Sequence, residues 1–122
     1  MIQWLLKKVI GSKNARLLKS LKPTVERINQ IELEYQRLSD EDLRAKVEQW
    51  KTRLHGIEDF QALKRTLDEL LPEAFAAVKN AARRLTERNH TFSACDQEAA
   101  WAMVHFDVQL IGGICLHRGI IA

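Results

Sequence analysis

Apolar residues recur every three or four positions along most of this chain, and that spacing fits an α-helix far better than a strand. Leu17, Leu18, Leu21, Val25, Ile28, Ile31, Tyr35 and Leu38 form the longest such run. Pro23 falls inside it and is expected to kink or restart the helix, because proline removes a backbone donor and clashes with the preceding turn. Ser39-Asp40-Glu41-Asp42 reads as an N-cap with acids in the first turn. The helix it opens carries Leu43, Val47, Trp50 and Leu54 inward and ends at Gly56, a C′ residue. Residues 57–71 continue with Phe60, Leu63, Leu67 and Leu70. Pro72 is then expected at the first position of a fresh helix that buries Phe75, Val78, Ala82 and Leu85. The pattern lapses over 86–95, which reads as a loop. A last helix is expected from near Asp96, past Trp101, Met103 and Phe106, toward Leu116. Gly119 opens Ile120-Ile121-Ala122, a β-branched stretch that reads as a strand just beginning. The predicted fold class is all-α: several amphipathic helices, with a truncated strand start at the C-terminus.

Two Pro and five Gly in 122 residues leave too few chain breakers for an all-β fold. The 46% hydrophobic content excludes a chain disordered by composition. Cys95 and Cys115 are too few for a disulfide scaffold, and the short apolar start is broken by Lys7 and Lys8 without a cleavage signature. These features point to a reducing cytoplasm. No run approaches the roughly 18 apolar residues that a membrane-spanning helix requires.

The charge is unevenly placed. Lys7, Lys8, Lys13, Arg16, Lys19 and Lys22 fall within the first 22 residues, where there is no acid, while the remaining hundred residues carry 13 bases against 16 acids. Ile2, Leu5, Leu6 and Val9 share one helical face in residues 1–10, with Lys7 and Lys8 away from it. Such a helix either lies in a lipid interface with its lysines on anionic headgroups, or docks on its own domain with solvated lysines. Nucleic-acid binding is disfavoured, because the basic residues lack interleaved aromatics and the rest of the chain is slightly acidic.

Two stretches resemble a known family. The first is Gly11-Ser12-Lys13-Asn14 through Ile28-Asn29, followed by Leu38-Ser39-Asp40-Glu41-Asp42-Leu43. The second is Leu71-Pro72-Glu73-Ala74-Phe75-Ala76, followed by His105-Phe106-Asp107-Val108-Gln109-Leu110-Ile111-Gly112-Gly113. Both are similar to the amino-terminal segment of SecA, the ATP-driven motor of bacterial protein export, and the second to its counterpart of the helicase Q motif. Val104 stands where the family commonly has a basic residue, and 86–100 is longer than in the simplest members. The resemblance implies that residues 1–12 form an amphipathic helix and turn, and that 13–122 are the helical start of the first nucleotide-binding domain. In the family an acidic, Gly-rich Walker A loop follows an Ile-Ala pair, here Ile121-Ala122.

The resemblance further implies that Gln109 reads the adenine of ATP, with Met103 and Phe106 in apolar contact nearby. Ile2, Leu5, Leu6, Lys7, Lys8 and Val9 would meet acidic phospholipid and the SecYEG channel. Preproteins would be substrates of the parent, which would sit in the cytoplasm at the inner face of the cell membrane. Mg²⁺ would be held by the parent, and neither tight nucleotide binding nor hydrolysis is expected of this segment, which contains no GxxxxGK[ST]. Read from its residues alone, Gln109 fits a surface helix position equally well, with Met103 and Phe106 in the core. Glycines at 112 and 113 inside a helix point to close packing there. The spacings of His55, His90, His105, His117, Cys95 and Cys115 match no common zinc template. A free-standing helical adaptor without motor activity is the alternative function, and self-association through exposed apolar surface is a further expectation.

Overall fold

The computed structural model describes residues 13–120. Helices α1 (Lys13–Tyr35), α2 (Asp40–Leu54) and α3 (Phe60–Glu87) are followed by strands β1 (Thr91–Ala94) and β2 (Gln97–Ala100) and by helix α4 (Asp107–His117). Ile2, Leu5, Leu6, Lys7, Lys8 and Val9, and the Ile121-Ala122 end of the expected strand, lie outside the described residues.

The core is the seam between α1 and α3, closed at one end by α4. Leu21, Val25, Ile28, Ile31 and Tyr35 of α1 pack with Leu71, Ala76 and Ala77 of α3 and with Leu110, Ile114 and Cys115 of α4. The 3–4 spacing of the α1 residues is what aims them all at one partner. Alanines on the facing stripe of α3 let the two long helices approach closely.

Neither proline breaks its helix: α1 runs through Pro23 and α3 through Pro72. The expected fresh start at Pro72 is therefore corrected. An interior proline costs about 3 kcal/mol, but Leu70 and Leu71 before it and Ala76 and Ala77 after it are buried. Burial of the two leucines alone contributes about 3–6 kcal/mol, which is enough to carry one helix across the site. The buried stripe of α3 also differs from expectation. Ala82 is buried, Phe75 and Leu85 are half-buried, and Val78 is 60% exposed. The stripe follows α1, and Val78 faces away from it.

Helix α2 has no buried residue. Leu43, Trp50 and Leu54 are half-buried and Val47 is exposed. Polar contacts hold it instead. Ser39 caps it in a reciprocal box with Asp42: Ser39 Oγ accepts from the Asp42 N–H at 3.1 Å, and Asp42 Oδ2 accepts from the Ser39 N–H at 3.3 Å. Arg84 of α3 donates to the carbonyls of Tyr35 (2.9 Å) and Leu38 (2.7 Å) and to Asp40 Oδ1 (2.6 Å), pinning the end of α1 to the start of α2. Arg88 adds two hydrogen bonds to the same carboxylate, and the two guanidinium groups, Arg88 first, hold Asp40 well below the usual carboxylate range. Glu73 accepts from Tyr35 Oη and Trp50 Nε1, each at 3.2 Å, and so ties three helices together.

The largest correction concerns 86–106. The expected loop and early helix are instead a β-hairpin and an extended segment, and α4 begins only at Asp107. Helix α3 closes in a Schellman motif: Asn89, at φ 49°, donates to the Thr86 carbonyl and His90 to that of Leu85. The strands pair antiparallel with Thr91 opposite Ala100 and Ala94 opposite Gln97. Both turn residues, Cys95 and Asp96, have positive φ (51° and 61°), the geometry of a type I′ hairpin turn. Phe92 and Trp101 meet edge to face at 6.2 Å.

Candidate functional site

The residues singled out in the sequence converge where the extended segment enters α4. Met103, 44% exposed, and Phe106, 74% exposed, are neither helical nor core, which corrects the expectation that they lie along a helix and are packed in it. Met103 is fixed through its backbone: its carbonyl accepts from Trp101 Nε1 at 2.9 Å and from Thr86 Oγ1 at 3.4 Å. Phe106 is the N-cap residue of α4, in extended backbone geometry, with its ring in the open.

Gln109 lies one turn into α4, exposed. Its Oε1 accepts from the backbone N–H of Phe106 at 2.8 Å, so the carboxamide closes the first turn of the helix. A carboxamide carries two donors and an acceptor with two lone pairs. One lone pair and the donors of Gln109 are left to meet a ligand.

The turn itself is anchored from below. Asn29 of α1 donates through Nδ2 to Asp107 Oδ1 at 2.9 Å and accepts at Oδ1 from Lys79 Nζ of α3 at 2.7 Å. Lys79 is buried. This relay joins all three core helices to the first residue of α4. Asn29 and Asp107 lie within the motifs quoted from the sequence, but 78 positions apart, and nothing local marks them as partners.

Beside Gln109 an apolar groove of about 490 Å³ runs between α3 and α4, lined by Phe75, Val78, Leu110, Gly112, Gly113 and Leu116 with His105 and Gln109 as its polar members. Gly113 makes the expected close approach: a Cβ there would fall 2.9 Å from Phe75 Cε2. Gly112 has open space in the same position. His105 Nδ1 is buried and has no hydrogen-bond partner, alone among the enclosed side-chain nitrogens and oxygens of the described residues. The groove brings Gln109 together with His105, and neither Met103 nor Phe106 lines it.

Glu32 is a charged residue that periodicity does not reveal. It is 2% exposed and accepts from Arg83 (2.8 and 3.2 Å), Asn80 (3.1 Å) and Gln36 (3.0 and 3.2 Å). Burial pushes its carboxyl upward, but the hydrogen bonds from Arg83, Asn80 and Gln36 outweigh it and the pKa is lowered. Among the described residues, no group of three or more His, Cys, Asp or Glu is placed to hold a metal ion, and no helix is long and apolar enough to cross a membrane.

Comparison with known proteins now bears on this geometry. The family described as the SecA DEAD-like domain matches residues 6–122. The chain is 44% identical over 117 residues to the protein named Protein translocase subunit SecA of Variovorax paradoxus, covering 96% of this chain and 10% of that protein. It is 48% identical over 122 residues to the protein of the same name from Chromobacterium violaceum, covering all of this chain and 11% of that one. The corresponding protein of Geobacter sp. (strain M21) is 47% identical over 118 residues, 97% of this chain and 10% of the relative. The chain spans about a tenth of the length of these curated relatives. No solved structure matches it. With the family match running from before α1 through α4 and across the Phe106–Gln109 turn, the chain belongs to the SecA DEAD-like domain family.

Proposed function

We propose that this chain supplies the adenine-reading part of the ATP site of a SecA-type protein-export motor. The observation that carries this reading is the Phe106–Gln109 turn. An aromatic ring with 74% exposure stands beside a carboxamide that has donors to spare, within the family-matched stretch. A soluble fold has little reason to leave a phenylalanine so open at a rigidly anchored turn. Adenine fits both groups: its face suits apolar contact, and its amine and adjacent ring nitrogen complement the carboxamide. Met103, half a turn of extended chain away, adds a thioether to the same surface.

ATP, when bound, supplies the phosphoryl group whose hydrolysis drives export, and the phosphates and Mg²⁺ fall to parts of the longer protein outside these 122 residues. In this reading residues 2–9, with the basic residues that continue to Lys22, meet acidic phospholipid and the SecYEG channel at the cytoplasmic face of the membrane. Lys13, Arg16, Lys19 and Lys22 of α1 are exposed, as that role requires.

In the longer protein carrying this segment, Gln109→Ala removes a paired polar contact, which costs about 1–3 kcal/mol. ATP affinity should fall about tenfold to a hundredfold while GTP affinity changes little. Gln109→Glu should act in the same direction, since a carboxylate cannot donate to the ring nitrogen. If both variants bind ATP and GTP as the parent does, the adenine reading is wrong.

A further inference from the structure

The hydrogen bond that caps α4 also has a consequence for what Gln109 can recognise. Gln109 Oε1 accepts from the Phe106 N–H at 2.8 Å. Rotating the carboxamide by half a turn would set its NH₂ donors against that N–H donor, so the bond fixes which end of the planar group is oxygen and which is nitrogen. We propose that the backbone N–H of Phe106 is a positioning group, which orients the Gln109 carboxamide and thereby makes the site select a 6-aminopurine over a 6-oxopurine. This rests on the adenine reading above and adds to it the origin of the specificity.

The logic is one of complementary edges. With its oxygen held and its nitrogen free, the carboxamide offers an acceptor and a donor in a fixed order. Adenine presents an amine donor beside a ring acceptor, whereas a 6-oxopurine presents two acceptors. The second acceptor would face Oε1 and repel it. A carboxamide free to rotate would lose the fixed order and turn its two donors toward either edge. The relay Lys79–Asn29–Asp107 keeps the first turn of α4 in place, so the Phe106 N–H stays where the cap requires it.

Two substitutions at one position isolate the N–H. Phe106→Ala removes the ring and keeps the N–H, and Phe106→Pro removes both. The φ of −79° at Phe106 lies close to the value that proline imposes. Adenosine and inosine, which differ in the 6-amino and 6-oxo groups, are titrated into each variant and the parent chain by NMR. The preference for adenosine should survive in F106A and fall about fivefold further in F106P, the worth of one hydrogen bond of average strength. A second measurement needs no ligand. Exchange of the residue-106 amide should quicken about tenfold in Gln109→Ala and stay slow in Gln109→Glu, whose carboxylate still accepts. Unchanged exchange in Gln109→Ala overturns the proposal, as does an equal adenosine preference in F106A and F106P. If the parent chain binds neither nucleoside, the adenine reading falls and the specificity proposal with it. Binding without the proline effect overturns the specificity proposal alone.

Discussion

The seam between α1 and α3 and the turn from Met103 to Gln109 are built on opposite terms. In the seam, Leu21, Ile28 and Ala76 are fully enclosed, and even the charged Glu32 is surrounded by donors. At the turn, Phe106, Met103 and Gln109 are all exposed, held by a backbone cap and by a polar relay from beneath. The seam spends apolar burial on stability. The turn leaves its apolar and polar groups open, so they contribute little to folding and stay available to a ligand. Substitutions should therefore separate the two regions: large stability losses with no change of ligand preference in one, and the reverse in the other.

The largest expected effect is Glu32→Ala. It strands Arg83 and Asn80 beside a buried gap, and breaking a buried charged pair of this kind costs about 3–5 kcal/mol. Urea unfolding of the chain measures it, and a loss under about 1 kcal/mol would place Glu32 on the solvated side of the comparison.

Acid comes next. Glu32 and Asp40 both have carboxyl pKa values lowered in the folded chain. Groups of this sign stabilise the fold fully above their unfolded values, near 4, and lose that contribution as pH falls through the folded values. The urea midpoint should hold from pH 7 to about 5 and then decline steadily toward pH 2. Asp40→Asn should make the decline shallower, and an unaltered slope would mean that the Arg84 and Arg88 contacts do not persist in solution.

The paired glycines give a smaller and more discriminating test. Gly112→Ala meets open space and should stabilise the chain by about 0.5–1 kcal/mol through helix propensity. Gly113→Ala meets the Phe75 ring and should forfeit that gain or reverse it. Equal thermal shifts for the two would mean that α3 and α4 are not in close contact at Phe75.

The smallest stability change is expected at the turn. Phe106→Ser should alter the unfolding free energy by no more than about 0.5 kcal/mol, as befits a surface position. A loss of 2 kcal/mol or more would show that the ring is part of the core after all.

The same contrast explains what could be read in advance. The α1 stripe, the Ser39 cap, the Gly56 C′ residue and the close approach at Gly113 were all legible, because each is a local pattern with one dominant physical cause. Continuity through Pro72 was not, since a local penalty was overridden by leucines and alanines that pack against a helix some fifty residues away. The hairpin escaped because Thr91–Ala94 and Gln97–Ala100 show no apolar alternation, and Cys95-Asp96 lacks the glycine that usually marks a type I′ turn. Without that hairpin the chain does not arrive at α4 in an extended form, and Met103 and Phe106 were accordingly read as helical. The motif around Gln109 could be recognised from its residues, but its cap to Phe106 and its anchor through Asn29 and Lys79 are tertiary facts.

The most direct test is a structure of the longer protein with an ATP analogue bound. The account expects the Gln109 carboxamide within hydrogen-bonding distance of the adenine edge, about 2.7–3.2 Å, with the Phe106 ring against the base. An adenine lodged elsewhere, with Gln109 still facing solvent, would contradict it.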